Sequence, residues 1–161
     1  VHKKLLADTV TPVSIYLKLR DRYDKPILLE SSDYHGTDNS FSYICCDPIA
    51  SLEVKDGYFR QCLLNDEESG ALEERTAHRQ LHVFAQSFIT EENPYKFINN
   101  GLFGYISYDA VQYFEGIPVT EDKKDEYQIP ELLYHVYRYV IAIDHFKNEL
   151  YIFEHYPEDF W

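Results

Sequence analysis

Apolar and polar positions alternate most clearly over Ala50-Ser51-Leu52-Glu53-Val54-Lys55, where a period of two predicts a half-buried strand. Asp56-Gly57 then predicts a tight turn, and Tyr58 to Leu63 a returning strand. A β-branched and aromatic run from Leu132 to Ile143 predicts a long strand, with a shorter partner at Leu150 to Phe153 returning through Lys147-Asn148. Ile27 to Glu30 and Phe41 to Cys46 read as further strands, and Leu5 to Val10 as a short first one. Helical patterning is sparser. Thr11-Pro12 has the form of an N-cap followed by proline at the first helical position, opening a helix that runs to about Tyr23 before Asp24-Lys25-Pro26 closes it. Leu72, Leu81, Val83, Phe84 and Phe88 place one or two helices between Ala71 and Phe88, and another short helix is expected from about Tyr108 to Phe114. Residues 31–40, the acidic run 65–70 and residues 117–129 read as loop, the acidic run as a solvated linker. The expected fold class is α+β: mostly antiparallel β-sheet with a few covering helices.

Composition narrows what such a sheet does. Of 161 residues, 45% are hydrophobic and 16% aromatic, enough to bury a core and to exclude a disordered segment. The net charge of −13 repels backbone phosphates and anionic lipid, which sets aside nucleic acid and membrane as partners. No apolar run reaches the length of a membrane span and the first twenty residues lack a signal-peptide pattern, so a soluble cytoplasmic protein is expected. Three cysteines, with Cys45 and Cys46 adjacent on a strand and therefore on opposite faces, read with Cys62 as small apolar side chains rather than a disulfide framework. The chain contains no methionine, and both its ends are expected to be boundaries within a longer protein.

Three motifs carry more specific information. Leu28-Leu29-Glu30-Ser31 ends a strand with a carboxylate and a hydroxyl that can meet an ammonium group. Phe41-Ser42-Tyr43-Ile44-Cys45-Cys46-Asp47-Pro48 follows a polar loop. Gly101-Leu102-Phe103-Gly104-Tyr105-Ile106-Ser107-Tyr108-Asp109 frames an apolar strand with two glycines. Here glycine permits close backbone approach, and Ser107 or Asp109 can cap the helix that comes next. In this order the motifs resemble the amino-terminal region of the large subunit of anthranilate synthase, over nearly the whole chain from Thr11 to about Phe153.

The resemblance implies a good deal beyond the fold. It implies one part of a larger two-portion β-sandwich enzyme that converts chorismate and ammonia to anthranilate and pyruvate, a lyase of tryptophan biosynthesis. This chain would be the regulatory domain, spanning residues 1–161. The chemistry and its Mg2+ would belong to a carboxy-terminal chorismate-binding portion beyond Trp161, so no catalytic residue, metal ligand or cofactor is expected here and the piece alone would be inactive. A glutamine amidotransferase subunit would be the partner. L-Tryptophan would be the feedback inhibitor, bound with help from Leu29, Glu30, Ser31 and Ser40. At position 40 the family's usual arginine is replaced by serine, whose hydroxyl cannot reproduce a guanidinium fork, and Gln112 stands where arginine is frequent. Two alternatives stay open: the corresponding region of aminodeoxychorismate synthase, and a non-catalytic amino-acid-binding scaffold.

Other constellations have plainer readings. His78 and His82 sit four apart, the helical spacing of two metal ligands, but no third ligand is specified. Tyr134, Tyr137 and Tyr139 could stack bases, yet the acidic charge favours packing. Asp144-His145 resembles a catalytic pair, but neighbours on a strand point to opposite faces. No phosphate-binding loop, dinucleotide fingerprint or nucleophile elbow occurs.

Overall fold

The structure, a computed structural model, describes residues 2–30, 40–64, 66–73, 75–90, 92–115, 117 and 128–157. In chain order the elements are β1 (His2–Leu6), α1 (Pro12–Leu19), β2 (Ile27–Glu30), β3 (Phe41–Lys55), β4 (Tyr58–Leu63), β5 (Asp66–Ala71), α2 (Ala77–Gln86), β6 (Phe103–Ile106), a 3-10 turn (Tyr108–Ala110) leading into α3 (Val111–Glu115), β7 (Leu132–Asp144) and β8 (Glu149–Glu154). Strand order is β1-β8-β7-β3-β4-β5, with β2 also on β3 and β6 also on β7. Each strand pair with a described register is antiparallel. The expected α+β class, a mostly antiparallel sheet with short helices, is what is found.

The chain divides into two compact units, Val1–Pro48 with Glu92–Gly101 and Tyr137–Trp161, and Ile49–Glu91 with Leu102–Val136. In the first unit one sheet face is aliphatic. Ile44, Ile141, Ile143 and Leu150 are buried there with Ala7, against Ile15, Tyr16 and Leu19 of α1 and Leu28 of β2. α1 begins as expected: Thr11 Oγ1 accepts from Ser14 N at 3.1 Å, Ser14 Oγ accepts from Thr11 N at 3.1 Å, and Pro12 occupies the first turn. The opposite face is aromatic, with Phe97 ring to ring at 5.1 Å from Phe41 and 4.9 Å from Tyr151.

The second unit has its own core of Leu52, Val54, Phe84 and Leu132, packed by Phe59, Leu81, Phe88 and Tyr113. Asp56 and Gly57 both have positive φ, 50° and 77°, which is the turn that joins twisted strands without splaying them. Tyr113 Oη accepts from Gly57 N at 2.9 Å.

Several expectations need correction. The acidic run is no linker: Asp66–Ala71 forms β5, pairing from Tyr58↔Ala71 to Leu63↔Asp66. Backbone pairing with β4 decides its state, and charged side chains suit an outermost strand because they discourage further pairing. β1 starts and ends earlier than read, at His2–Leu6, because its ladder follows β8 from Phe153 to Glu149. β3 runs unbroken through Pro48, with Asp47 at φ 63° where its ladder passes from β2 to β4. α1 stops at Leu19, and α2 covers only Ala77–Gln86. Ser107 stands at the N-cap of the 3-10 turn without a side-chain cap, and the helix expected from about Tyr108 to Phe114 is found as that turn followed by α3, ending at Glu115.

Candidate functional site

Leu29 and Glu30 end β2 and Ser40 precedes β3 at one end of the first unit's sheet, whereas Ser31 lies outside the described residues. β2 pairs with β3 in the register Leu28↔Ile44, Leu29↔Tyr43, Glu30↔Ser42, so the end of β2 comes within two residues of Ser40 along β3. Side chains alternate across a strand. Leu28 packs on the aliphatic cluster with Ile44, which puts Glu30 and Ser42 on that same face and Leu29 on the other, beside Tyr43. Of the four residues named for tryptophan, then, Glu30 lies on the α1 side with Ser42, Leu29 is turned to the other face, and Ser40 stands just before β3, two residues from the Glu30 partner. Leu29 and Glu30 are both exposed, while Ser40 is 5% exposed.

The buried polar groups adjoin this end of the sheet. Ser40 O accepts from His145 N at 3.1 Å, placing His145 opposite Ser40. The His145 ring reaches Ser42, with Nε2 2.7 Å from Ser42 Oγ, and Ser42 has no exposed surface. Ser40 Oγ is buried and has no hydrogen-bond partner among the described residues. Asp144 does not pair with its neighbour's ring: its Oδ1 accepts from Phe146 N and Lys147 N, each at 3.0 Å, closing the β7–β8 turn. The link between Ser42 and His145 was invisible to sequence reading because 103 residues separate them.

A carboxylate at the strand end and a buried hydroxyl beside it are suited to a zwitterion: the first to an ammonium, the second to a carboxylate. Lys4, Arg60, Arg138 and Lys147 each face a carboxylate, of Glu149 at 2.6 Å, Glu67 at 2.8 Å, Asp47 at 3.4 Å and Asp144 at 3.8 Å.

The remaining candidates scatter. His78 and His82 are exposed on α2, and among the described residues no group of three or more His, Cys, Asp or Glu side chains is placed to hold a metal ion. Tyr134 packs on the second unit's core; Tyr137 is buried, with its hydroxyl on Lys25 O at 2.9 Å; Tyr139 donates to Glu154 Oε1 at 2.9 Å. They form no stacking platform. Burial pushes the Cys46 thiol up to about 11 and Cys45 further still, as expected of inert apolar side chains. Gln112 Nε2 donates to Asp109 O at 3.0 Å, a local bond within the turn. One open depression of about 500 Å³ was not foreseen, on the aromatic face between Phe41, Tyr43, Tyr95, Phe97 and Ile98, with Asn93 and Lys96 as its polar lining. Its lining segment Asn93-Pro94-Tyr95-Lys96-Phe97 follows Glu91-Glu92, and from sequence Glu91-Glu92-Asn93-Pro94 reads only as a break in the chain.

Comparison with known proteins gives one consistent result. The model of a family described as chorismate binding enzyme matches residues 25–160. Anthranilate synthase component 1 of Thermus thermophilus is 32% identical over 150 residues, covering 93% of this chain and 30% of that protein. Its counterpart from Lactococcus lactis is 28% identical over 152 residues, covering 94% and 31%. The chain thus spans about 30% of the length of these curated relatives. A crystal structure of anthranilate synthase component I from Streptococcus pneumoniae TIGR4 superposes with a TM-score of 0.50 at 18% identity, over 95% of this chain and 31% of that one, a likeness of fold. Among the described residues no helix is long and apolar enough to cross a membrane.

Proposed function

Because this chain belongs to the chorismate binding enzyme family, we propose that it is the amino-terminal, tryptophan-sensing part of an anthranilate synthase component I. The longer protein would form anthranilate and pyruvate from chorismate and ammonia in the cytoplasm, as a lyase. A glutamine amidotransferase component II would supply the ammonia. Mg2+ and the reacting groups are assigned to the remainder of that protein.

The observation that carries the sensing role is that Glu30, at the end of β2, is in register with Ser42, two residues from the buried Ser40. Glu30 would take the ammonium of L-tryptophan and the Ser40 hydroxyl a carboxylate oxygen, with Ser31 completing the set. Inhibition follows if tryptophan binds one of two arrangements of the whole enzyme more tightly than the other.

The test is fluorescence-detected anthranilate formation by the full-length protein given chorismate, Mg2+ and ammonium, with and without tryptophan. Anthranilate formed and suppressed by tryptophan is the expected result. Chorismate consumed without anthranilate would move the assignment to aminodeoxychorismate synthesis, and no consumption would leave a scaffold.

A further inference from the structure

We infer that His145 is a positioning residue for the effector site: it clamps the Ser40-to-Ser42 segment of β3 through its main chain and its ring at once. The inference rests on the reading of Glu30 and Ser40 as tryptophan contacts.

The geometry is a two-point hold. The His145 N–H donates to Ser40 O at 3.1 Å, and its Nε2 lies 2.7 Å from Ser42 Oγ. The two contacts flank Phe41 and hold the stretch of chain that directly follows the buried Ser40 side chain. The holder is itself fixed, since the Asp144 carboxylate accepts two main-chain N–H groups of the same turn, from Phe146 and Lys147. Ser42 has no exposed surface while the ring is in place, and losing the ring removes the hydrogen-bond partner of a hydroxyl that is buried in the intact fold. What the pair controls is where Ser40 sits relative to Glu30, whose strand is in register with Ser42. A hydroxyl that must meet a ligand carboxylate within hydrogen-bond distance tolerates little drift.

The experiment compares His145→Ala, His145→Gln, Ser42→Ala and Glu30→Ala in the full-length enzyme, recording anthranilate formation against tryptophan concentration together with melting temperature. His145→Ala is expected to raise the half-inhibiting concentration about ten-fold, the equivalent of one buried hydrogen bond, and by more than kcat changes without tryptophan. His145→Gln keeps an amide that can pair with the Ser42 hydroxyl in either role and should restore most of the sensitivity. If both His145 variants lose melting temperature while inhibition stays put and Glu30→Ala shifts it, His145 is only structural and the inference is overturned, with the site intact. If Glu30→Ala also leaves inhibition unmoved, the effector site itself falls and the inference with it. Should His145→Ala fail to fold, Ser42→Ala decides: a similar rise supports the clamp and no rise overturns it.

Discussion

Gly104 lies against the carbonyl of Leu133, so close that a Cβ built on Gly104 would overlap the oxygen and come within 2.9 Å of Tyr134 Cα. The contact sits in the β6–β7 ladder, where Gly104 is in register with Tyr134. An obstruction made of backbone cannot rotate away. Gly104→Ala is therefore expected to push β6 off β7 and cost about 3 kcal/mol, read as a lower denaturation midpoint. A midpoint within experimental error of the parent would mean that the strands separate easily here.

Tyr137 and Lys25 are joined across 112 residues by a hydroxyl-to-carbonyl bond of 2.9 Å, and Tyr137 is only 1% exposed. Burial raises the phenol well above its ordinary range, so it stays a donor while the fold persists. Tyr137→Phe keeps the ring and removes the bond. The expected loss is about 1 kcal/mol with an unchanged denaturant slope. No loss would show that the Lys25 carbonyl finds water equally well.

The strands were legible wherever side chains alternate between core and solvent, as in Ala50 to Lys55, and the turns wherever backbone chemistry is specific, as in Asp56-Gly57 and Thr11-Pro12. β5 was not legible, because Asp66-Glu67-Glu68 lies on an outermost strand where the ladder with β4, not side-chain burial, supplies the order. Arg60 on β4 meets Glu67 at 2.8 Å, a pairing that needs the hairpin to exist first. At the candidate site, the motif around Glu30 could be read from sequence. Which of Leu29 and Glu30 shares a face with Ser42 could not, since one residue of register exchanges every side chain between faces. His145 could be seen only as a neighbour of Asp144, and its partner Ser42 came from the tertiary fold.

His155 gives the first unit a pH dependence of known sign. Its Nε2–H donates to Asn99 O at 2.9 Å, and burial, partly offset by that bond, holds the imidazole below its ordinary value. Below about pH 6.5 the unfolded chain takes up a proton that the folded one resists, so the contribution present above that pH is lost as pH falls through the lowered folded value. His155→Gln retains a donor for Asn99 and cannot titrate. Its denaturation midpoint should decline less than the parent's between about pH 7 and pH 5. Parallel declines would assign the acid sensitivity to carboxylates alone.

Ser40 separates stability from sensing. Its Oγ is buried without a hydrogen-bond partner among the described residues, so without ligand the hydroxyl is a cost to the fold. Ser40→Ala removes that cost and leaves only a small void. The full-length enzyme should therefore hold or slightly raise its melting temperature without tryptophan, by the equivalent of about 1 kcal/mol at most. If the hydroxyl is a tryptophan contact, the same variant should lose much of the melting-temperature rise that saturating tryptophan gives the parent, because that rise scales with affinity. Its half-inhibiting concentration should increase in step. A variant that melts lower without tryptophan yet keeps the full ligand-induced rise would show that Ser40 serves packing, and the effector contacts would have to be sought at Glu30 and Ser31.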